Sequence, residues 1–323
     1  MRLLVIGCGS IGMRHAENAV LLGDVAVLDP DDNRRTQAKS REIQTFAELE
    51  DALCWRADAV VIATPHDSHM QLAQAAIGRC RAILVEKPFG MDIGEMDAVL
   101  ADAKTQGTAM FGVCNMRYHP AVGALAQHLG EVGEPIFARA HYGNFLPDMR
   151  PGVDYRTHYA ADGALGGALL DGVHEIDLVQ WLLGPASVRH ADLVRSGALA
   201  IQSNDYAALH LEHESHARSE IHIDYLRRVK LRGLEVTGRD GTILWESVGK
   251  GPERARVLLR SKTDRDVHDI YNNDNVDGNA PYREMLSDLV AALNGRDHRL
   301  QTATQARAIA AMVLPLLQDK QVK

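Results

Sequence analysis

The run Leu3-Leu4-Val5-Ile6 passes directly into Gly7-Cys8-Gly9-Ser10-Ile11-Gly12, and Met13–Leu22 follows without a helix breaker. No other feature constrains this chain as much. A buried strand, a glycine turn and a helix in immediate succession open a βαβ unit, which demands a parallel sheet with helices packed on it. In the G-x-G-x-x-G spacing each glycine has its own reason: Gly7 permits the tight turn, Gly9 lets a pyrophosphate approach the backbone, and Gly12 lets helix and strand pack closely. Ser10 and Ile11 lie where a helix N-terminus offers unpaired N–H groups and partial positive charge to that anion. Asp29 stands 17 positions after Gly12, at the end of the apolar run Val25–Leu28, placed to accept hydrogen bonds from ribose hydroxyls. A carboxylate there repels a 2′-phosphate, so NAD is expected rather than NADP. Arg34 and Arg35 could offset that repulsion but read as solvated residues of the next helix. A glycine turn with no ligand is the alternative, and the strand–turn–helix–acid context argues against it.

The pattern continues. Glu48–Cys54, Met70–Ile77 and Gly94–Thr105 read as helices, and Ala59–Ala63, Ala82–Val85 and Ala109–Val113 as short apolar strands. Strands without polar alternation belong to a parallel sheet covered on both faces. The expected fold class is therefore α/β, an N-terminal doubly wound Rossmann sheet. After Arg117-Tyr118-His119-Pro120 the alternation stops. A helix over Ala121–Leu129, a strand over Ile136–Asn144 and an irregular stretch over Phe145–Gly163 precede a helix over Leu169–Leu183. Antiparallel hairpins are then expected through Ser247, with strands over Tyr206–His213, Ser219–Leu226, Arg232–Thr237 and Thr242–Glu246. The polar segment Lys262–Asn279 reads as a loop, and two helices, Tyr282–Leu293 and Thr304–Leu317, close the chain. The expected division is a Rossmann domain over 1–118 and a C-terminal α+β domain over 119–323 with a large, mostly antiparallel sheet.

Composition excludes whole classes. With 35 Lys and Arg against 43 Asp and Glu the net charge is −8, unsuited to a nucleic-acid binder that needs a basic face. No apolar run approaches the length of a membrane span, and no signal peptide is read at the N-terminus, so a cytoplasmic enzyme is expected. Cys8, Cys54, Cys80 and Cys114 form no zinc-like spacing. The 15 histidines raise a metal question, but His210 and His213 in one strand point to opposite faces, so no metal site is expected.

Five stretches in order carry a resemblance: Gly7–Gly12; Ala63-Thr64-Pro65-His66-Asp67-Ser68-His69; Glu86-Lys87-Pro88; Asn115-Met116-Arg117; and Gly166–Trp181. Together they resemble the glucose-fructose oxidoreductase/inositol dehydrogenase/MocA family over essentially the full length. The stretches Gly9–His15, Phe145–Pro151, Asp154-Tyr155-Arg156 and Leu170–Asp177 look like a subgroup from bacterial sugar and surface-glycan pathways. The resemblance implies hydride transfer between nicotinamide and a hydroxyl or keto carbon of a sugar, polyol or nucleotide sugar. It also implies a homodimer or homotetramer through the C-terminal sheet. It places Ala63, Thr64, Pro65, His69 and Glu86 against the cofactor, and Lys87, often after a cis bond to the proline, against the substrate oxygen.

The residues themselves suit that chemistry. Oxidising a carbinol needs a proton acceptor and a cation beside the developing alkoxide. Lys87 at the carboxyl edge of a buried strand can supply the cation; a solvated lysine is the alternative. His174 titrates near neutrality and can take the proton; a buried helix histidine with a structural partner is its alternative. The family commonly spaces Asp and His by four, whereas Asp171 and His174 are three apart. At about 100° per residue, Asp171 and Asp177 each lie about 60° from His174 around the helix, on opposite sides, and either could orient or charge-stabilise the imidazolium. Arg117 is read as a substrate clamp or an ion-pair partner, and Tyr155 and Arg156 as sugar contacts or surface loop. An NAD-retaining glycoside hydrolase or epimerase and a noncatalytic dinucleotide-binding regulator remain as other readings.

Overall fold

The computed structural model describes residues 1–249 and 252–318. Two compact units emerge among the described residues, Met1–Asn115 with Asn279–Ala311, and Met116–Gly278 with 312–318. The stretch Asn279–Ala311, expected above within 119–323, groups with the N-terminal unit.

In the first unit β1 (Arg2–Ile6), α1 (Ser10–Ala19), β2 (Asp24–Leu28), α2 (Asp32–Lys39), β3 (Gln44–Phe46), α3 (Leu49–Cys54), β4 (Ala59–Ile62), α4 (His69–Ala76), β5 (Ala82–Val85), α5 (Ile93–Gln106) and β6 (Ala109–Gly112) alternate as the apolar runs demand. The sheet order is β6-β5-β4-β1-β2-β3, all parallel. Strands β4 and β5 are buried along their whole length, which is why their sequences show no polar alternation. The short β3, absent from the sequence reading, and α2, read there only as the helix holding Arg34 and Arg35, hold few apolar residues; α2 is instead started by Asp31, whose side chain accepts from the Asn33 and Arg34 N–H groups.

The second unit holds α6 (Pro120–His128), β7 (Pro135–Gly143), α7 (Leu146–Met149), α8 (Ala168–Asp171), α9 (Val173–Leu183), β8 (Ala186–Val194), β9 (Tyr206–His213), β10 (Arg218–Asp224), β11 (Leu231–Gly238), β12 (Gly241–Val248), β13 (Glu253–Ser261) and β14 (His268–Val276). Its eight strands run β14-β13-β12-β11-β7-β10-β9-β8, antiparallel except for the β7–β10 pair. His213 is buried and His210 exposed, the opposite faces that strand alternation requires. The segment read as a loop contains β14, whose Asn- and Asp-rich sequence opposes strand formation. Pairing to β13, with two register shifts, overrides that preference at a sheet edge where polar residues stay wet.

The chain then returns to the first unit. Helix α10 (Ala280–Leu293) packs on α1, β15 (Gln301–Thr302) adds antiparallel to β6, and α11 (Ala303–Gln318) follows. Gly112 accommodates this edge closely: a Cβ there would lie 2.1 Å from Gln301 Oε1. No described helix is long and apolar enough to cross a membrane.

Candidate dinucleotide and acid–base sites

The glycine loop, Asp29 and the Ala63–Pro65 turn meet at the carboxyl ends of β1, β2 and β4, where the strand order reverses direction. That reversal is the switch point at which open parallel sheets take ligands. Gly7 is at φ +93°, and a Cβ on it would sit 2.6 Å from the Ala63 carbonyl oxygen and 2.9 Å from Thr64 Cγ2. On Gly12 a Cβ would fall 1.8 Å from the Gly7 oxygen, so α1 can lie on the loop only because residue 12 has no side chain. Gly9 differs: a Cβ there meets nothing within 4 Å, and no side chain caps α1. Open space above an uncapped helix N-terminus suits a diphosphate. The geometry fits a dinucleotide, with Ser10 and Ile11 in the first turn of α1.

Asp29 is buried. Its Oδ2 accepts from the Cys8 N–H at 2.7 Å and from Arg34 Nη1 at 3.3 Å, and its Oδ1 accepts from the Asp31 N–H at 2.9 Å. Arg34 is therefore not simply solvated; it reaches back to the carboxylate. Arg35 is tied down, donating to the Asp29 and Pro30 carbonyls and to Asp32. Burial, then the charge of Asp29, pushes the Cys8 thiol up to about 11, which leaves little thiolate for a reactive role.

Two further turns are braced by His69. Its Nδ1 lies 2.9 Å from the Pro88 carbonyl oxygen and its Nε2 3.0 Å from that of Thr64, and the ring is fully buried. Burial lowers its pKa, so the neutral ring donates to one carbonyl at a time. The sequence reading put His69 against the cofactor; its ring has no surface left for a ligand and instead joins the turn after β4 to the turn after β5. Glu86, also expected at the cofactor, is likewise buried. Its Oε1 lies 2.8 Å from His15 Nε2, and its Oε2 accepts from the Lys87 N–H at 3.1 Å. The Lys87–Pro88 bond is cis. Lys87 thus follows a fully buried strand at the carboxyl edge of the sheet, as the sequence led us to expect.

In the second unit Asp171 and His174 are not on one helix. Asp171 ends α8, Gly172 interrupts at φ −90° and ψ 13°, and His174 lies in the first turn of α9. The 60° relation to Asp171 derived for a continuous helix therefore does not apply. The break occurs where the backbone presses on β10: a Cβ on Gly172 would sit 2.2 Å from Ile223 Cδ1. Asp171 is held by two phenols, Tyr159 donating to Oδ1 at 2.8 Å and Tyr225 to Oδ2 at 2.6 Å. Burial first, and then the charge of Asp171, raises the Tyr225 pKa well above 10, so its hydroxyl remains a donor. Neither tyrosine was foreseen. Tyr225 lies just past β10, 54 residues from Asp171, and no local spacing announces that contact.

Both acids that follow His174 on α9 are committed to arginines. Arg117 Nε and Nη2 reach the two Asp177 oxygens at 2.8 and 2.6 Å, with side chains only 3% and 2% exposed. Of the two readings of Arg117, substrate clamp or ion-pair partner, the ion pair is present, and it is made with Asp177. Arg232 similarly pairs with Glu175 at 2.7 Å and stacks on Tyr142. Tyr155 accepts from the Ala200 N–H at 3.3 Å, and Arg156 is exposed and forked onto Asp154. Among the described residues no group of three His, Cys, Asp or Glu side chains is gathered to hold a metal.

Comparison with known proteins agrees with this architecture. Residues 1–113 match the family model described as an oxidoreductase family with an NAD-binding Rossmann fold, and residues 126–244 match the GFO/IDH/MocA C-terminal domain. A putative UDP-kanosamine synthase oxidoreductase subunit of Amycolatopsis mediterranei is 27% identical over 97% of this chain and 94% of its own length. The scyllo-inositol 2-dehydrogenase (NAD+) of Bacillus subtilis is 30% identical over 57% of this chain and 54% of its own. The fold is shared with the WlbA dehydrogenase of Bordetella pertussis, solved with NADH and UDP-GlcNAcA. That structure has a TM-score of 0.78 at 18% identity, covering 99% of this chain and 97% of that one. An NAD-binding Rossmann sheet, a mostly antiparallel second sheet and both family models identify this chain as a member of the glucose-fructose oxidoreductase/inositol dehydrogenase/MocA family of oxidoreductases.

Proposed function

We propose that this enzyme is an NAD-dependent dehydrogenase that oxidises a secondary hydroxyl of a sugar, polyol or nucleotide sugar, or reduces the matching ketone. Lys87 acts on the oxygen and His174 acts as acid and base. The observation that carries the reading is the placement of Lys87. It emerges from a buried strand at the ligand-binding edge of the sheet, with its backbone fixed by Glu86 and by the braced turn at Pro88. Nucleotide sugars are the first candidates, since the relative matched over nearly the whole chain is named for a UDP-sugar pathway.

NAD, when bound, supplies the hydride acceptor. Gly7, Gly9, Gly12 and the first turn of α1 would hold its diphosphate, Asp29 its ribose hydroxyls, and the Ala63–Pro65 turn its passage over the sheet. Lys87, as an ammonium, donates to the substrate oxygen and stabilises the negative charge that grows as the carbinol loses hydride. His174 takes the hydroxyl proton in oxidation and returns it in reduction. Asp171, held by Tyr159 and Tyr225 as a carboxylate, offers a fixed acceptor to a sugar hydroxyl.

The test is turnover of K87A against wild type at the reduced-nicotinamide absorbance band. The substrates are UDP-glucose, UDP-N-acetylglucosamine, myo-inositol and D-glucose, with NADH affinity measured separately by fluorescence. Turnover should fall about a thousandfold while NADH binding persists. Retained turnover refutes the assignment. Copurified nicotinamide with an epimerised or hydrolysed product and no net absorbance change would replace net oxidation by transient oxidation.

A further inference from the structure

Beneath Lys87 lies a buried pair that the reaction as written does not use. His15, on the second turn of α1, is fully buried, and its Nε2 lies 2.8 Å from Glu86 Oε1. The other Glu86 oxygen accepts the N–H of Lys87 itself. An ionised carboxylate only accepts hydrogen bonds, so Nε2 must be the donor whichever charge the ring carries. His15 Nδ1 is buried and meets no hydrogen-bond partner among the described residues, so the ring is spent on Glu86 alone. Its edge packs on Tyr282 of α10, centroids 5.3 Å apart, while Arg14 lies 4.3 Å over the same phenol ring and bonds Asn279. A helix from the far end of the sequence therefore backs the imidazole. His69 of α4 also feels the Glu86 charge, and burial lowers its pKa and favours the neutral ring.

We propose that His15 is a positioning residue for Lys87: its Nε2–H keeps Glu86 charged and oriented beneath the lysine, supplying the counter-ion that holds Lys87 as an ammonium. Desolvation would by itself drive the Glu86 carboxyl upward. The His15 bond and charge, the Lys87 N–H and the Lys87 charge outweigh it and leave Glu86 below the ordinary carboxylate range. Removing the imidazole strips a buried carboxylate of a side-chain donor, which favours neutralisation by a proton. Lys87 then loses its anion. The inference rests on the assignment of Lys87 as the oxygen-polarising group, but its test does not need turnover.

The experiment compares wild type, H15L, H15Q and E86Q as purified full-length protein at neutral pH. Infrared difference spectra report the carbonyl stretch of a protonated carboxyl. Acetic anhydride labelling, read by mass spectrometry of the Lys87 peptide, reports how much of that amine is uncharged. H15L should show a protonated-carboxyl band that is missing from the H15L/E86Q double variant. It should also acetylate Lys87 about tenfold faster, the equivalent of one pKa unit. H15Q, which keeps an N–H donor at similar reach, should restore both readouts toward wild type. E86Q should accelerate Lys87 labelling by itself, and this arm stands even if H15L fails to fold. Labelling of Lys87 unchanged in both H15L and E86Q overturns the proposal, as does an H15Q variant no better than H15L. Turnover by K87A would instead remove the role of Lys87 and leave the labelling result standing, so the two failures are distinguishable.

Discussion

Replacing Arg117 by methionine isolates what the Arg117–Asp177 pair contributes. Both side chains are almost wholly buried, and the fork is bidentate at 2.8 and 2.6 Å. Methionine keeps most of the apolar stem and deletes the charge, so the principal change is an Asp177 carboxylate stranded among apolar neighbours of α9. Breaking such a pair from one side costs about 3–5 kcal/mol, because the remaining ion keeps its desolvation penalty without its partner. At about 2–4 °C per kcal/mol for a domain of this size, the transition of the second unit should fall by roughly 6–20 °C. Urea and thermal unfolding followed by tryptophan fluorescence suit the measurement, because Arg117 Cζ lies 5.7 Å from the ring centroid of Trp181 and the reporter is local. The double variant R117M/D177L removes both charges and should recover most of the loss. A single variant that loses less than about 1 kcal/mol, the range of an exposed pair, would refute the reasoning, as would a double variant worse than R117M. A raised KM at unchanged stability would return Arg117 to the role of substrate clamp.

Two further outcomes follow from the geometry. G12A puts a methyl group 1.8 Å from the Gly7 carbonyl oxygen, so it should cut NADH affinity at least about 100-fold, or unfold the first unit, whereas G9A, which meets nothing, should fold normally; titration of NADH fluorescence alongside circular dichroism decides. Glu253 sits among His119, Lys230 and Ser247; burial would raise its pKa, but those three together bring it from an ordinary 4.5 to about 2. A depressed carboxyl stabilises fully above about 4.5 and loses that contribution as pH falls through about 2. The contribution is of order 3 kcal/mol, and urea midpoints measured from pH 6 down to pH 2 should fall less steeply in E253Q than in wild type.

The Rossmann half was legible because its strands are buried on both faces and its turn chemistry is local. Gly7, Gly12 and Asp29 lie within one βαβ unit, and each has a steric or hydrogen-bonding reason readable from spacing. The second unit was legible only where one face is wet: Tyr206–His213 alternates and was bounded correctly, whereas β14, polar on both faces at an edge, carried no period. The candidate site divides in the same way. Lys87 is announced by the strand before it and the proline after it. The roles of Arg117, His69 and Glu86 depend on partners 60, 19 and 71 residues away, and no window of local sequence contains them. The helix assumed to carry both Asp171 and His174 was misread because Gly172 looks tolerable in a helix until Ile223 is placed against it.

The return of the chain to the first sheet bears on how the protein can be made. Strand β6 has β5 on one side, and among the described residues its other side is satisfied by β15, where Gln301 and Thr302 pair with Gly112 and Phe111. Met116–Gly278, the bulk of the second unit, is encoded between them. During synthesis from the N-terminus the parallel sheet therefore reaches its sixth strand with an open, apolar margin, and keeps it until Met116–Gly278 and α10 have been translated. An open margin of that kind is a template for pairing with another chain. Helix α10, which supplies Tyr282 behind His15, arrives equally late. The first unit thus begins first but stays incomplete until the chain past Gly278 has been made, and a nascent chain halted at Gly278 would present β6 and the underside of α1 uncovered.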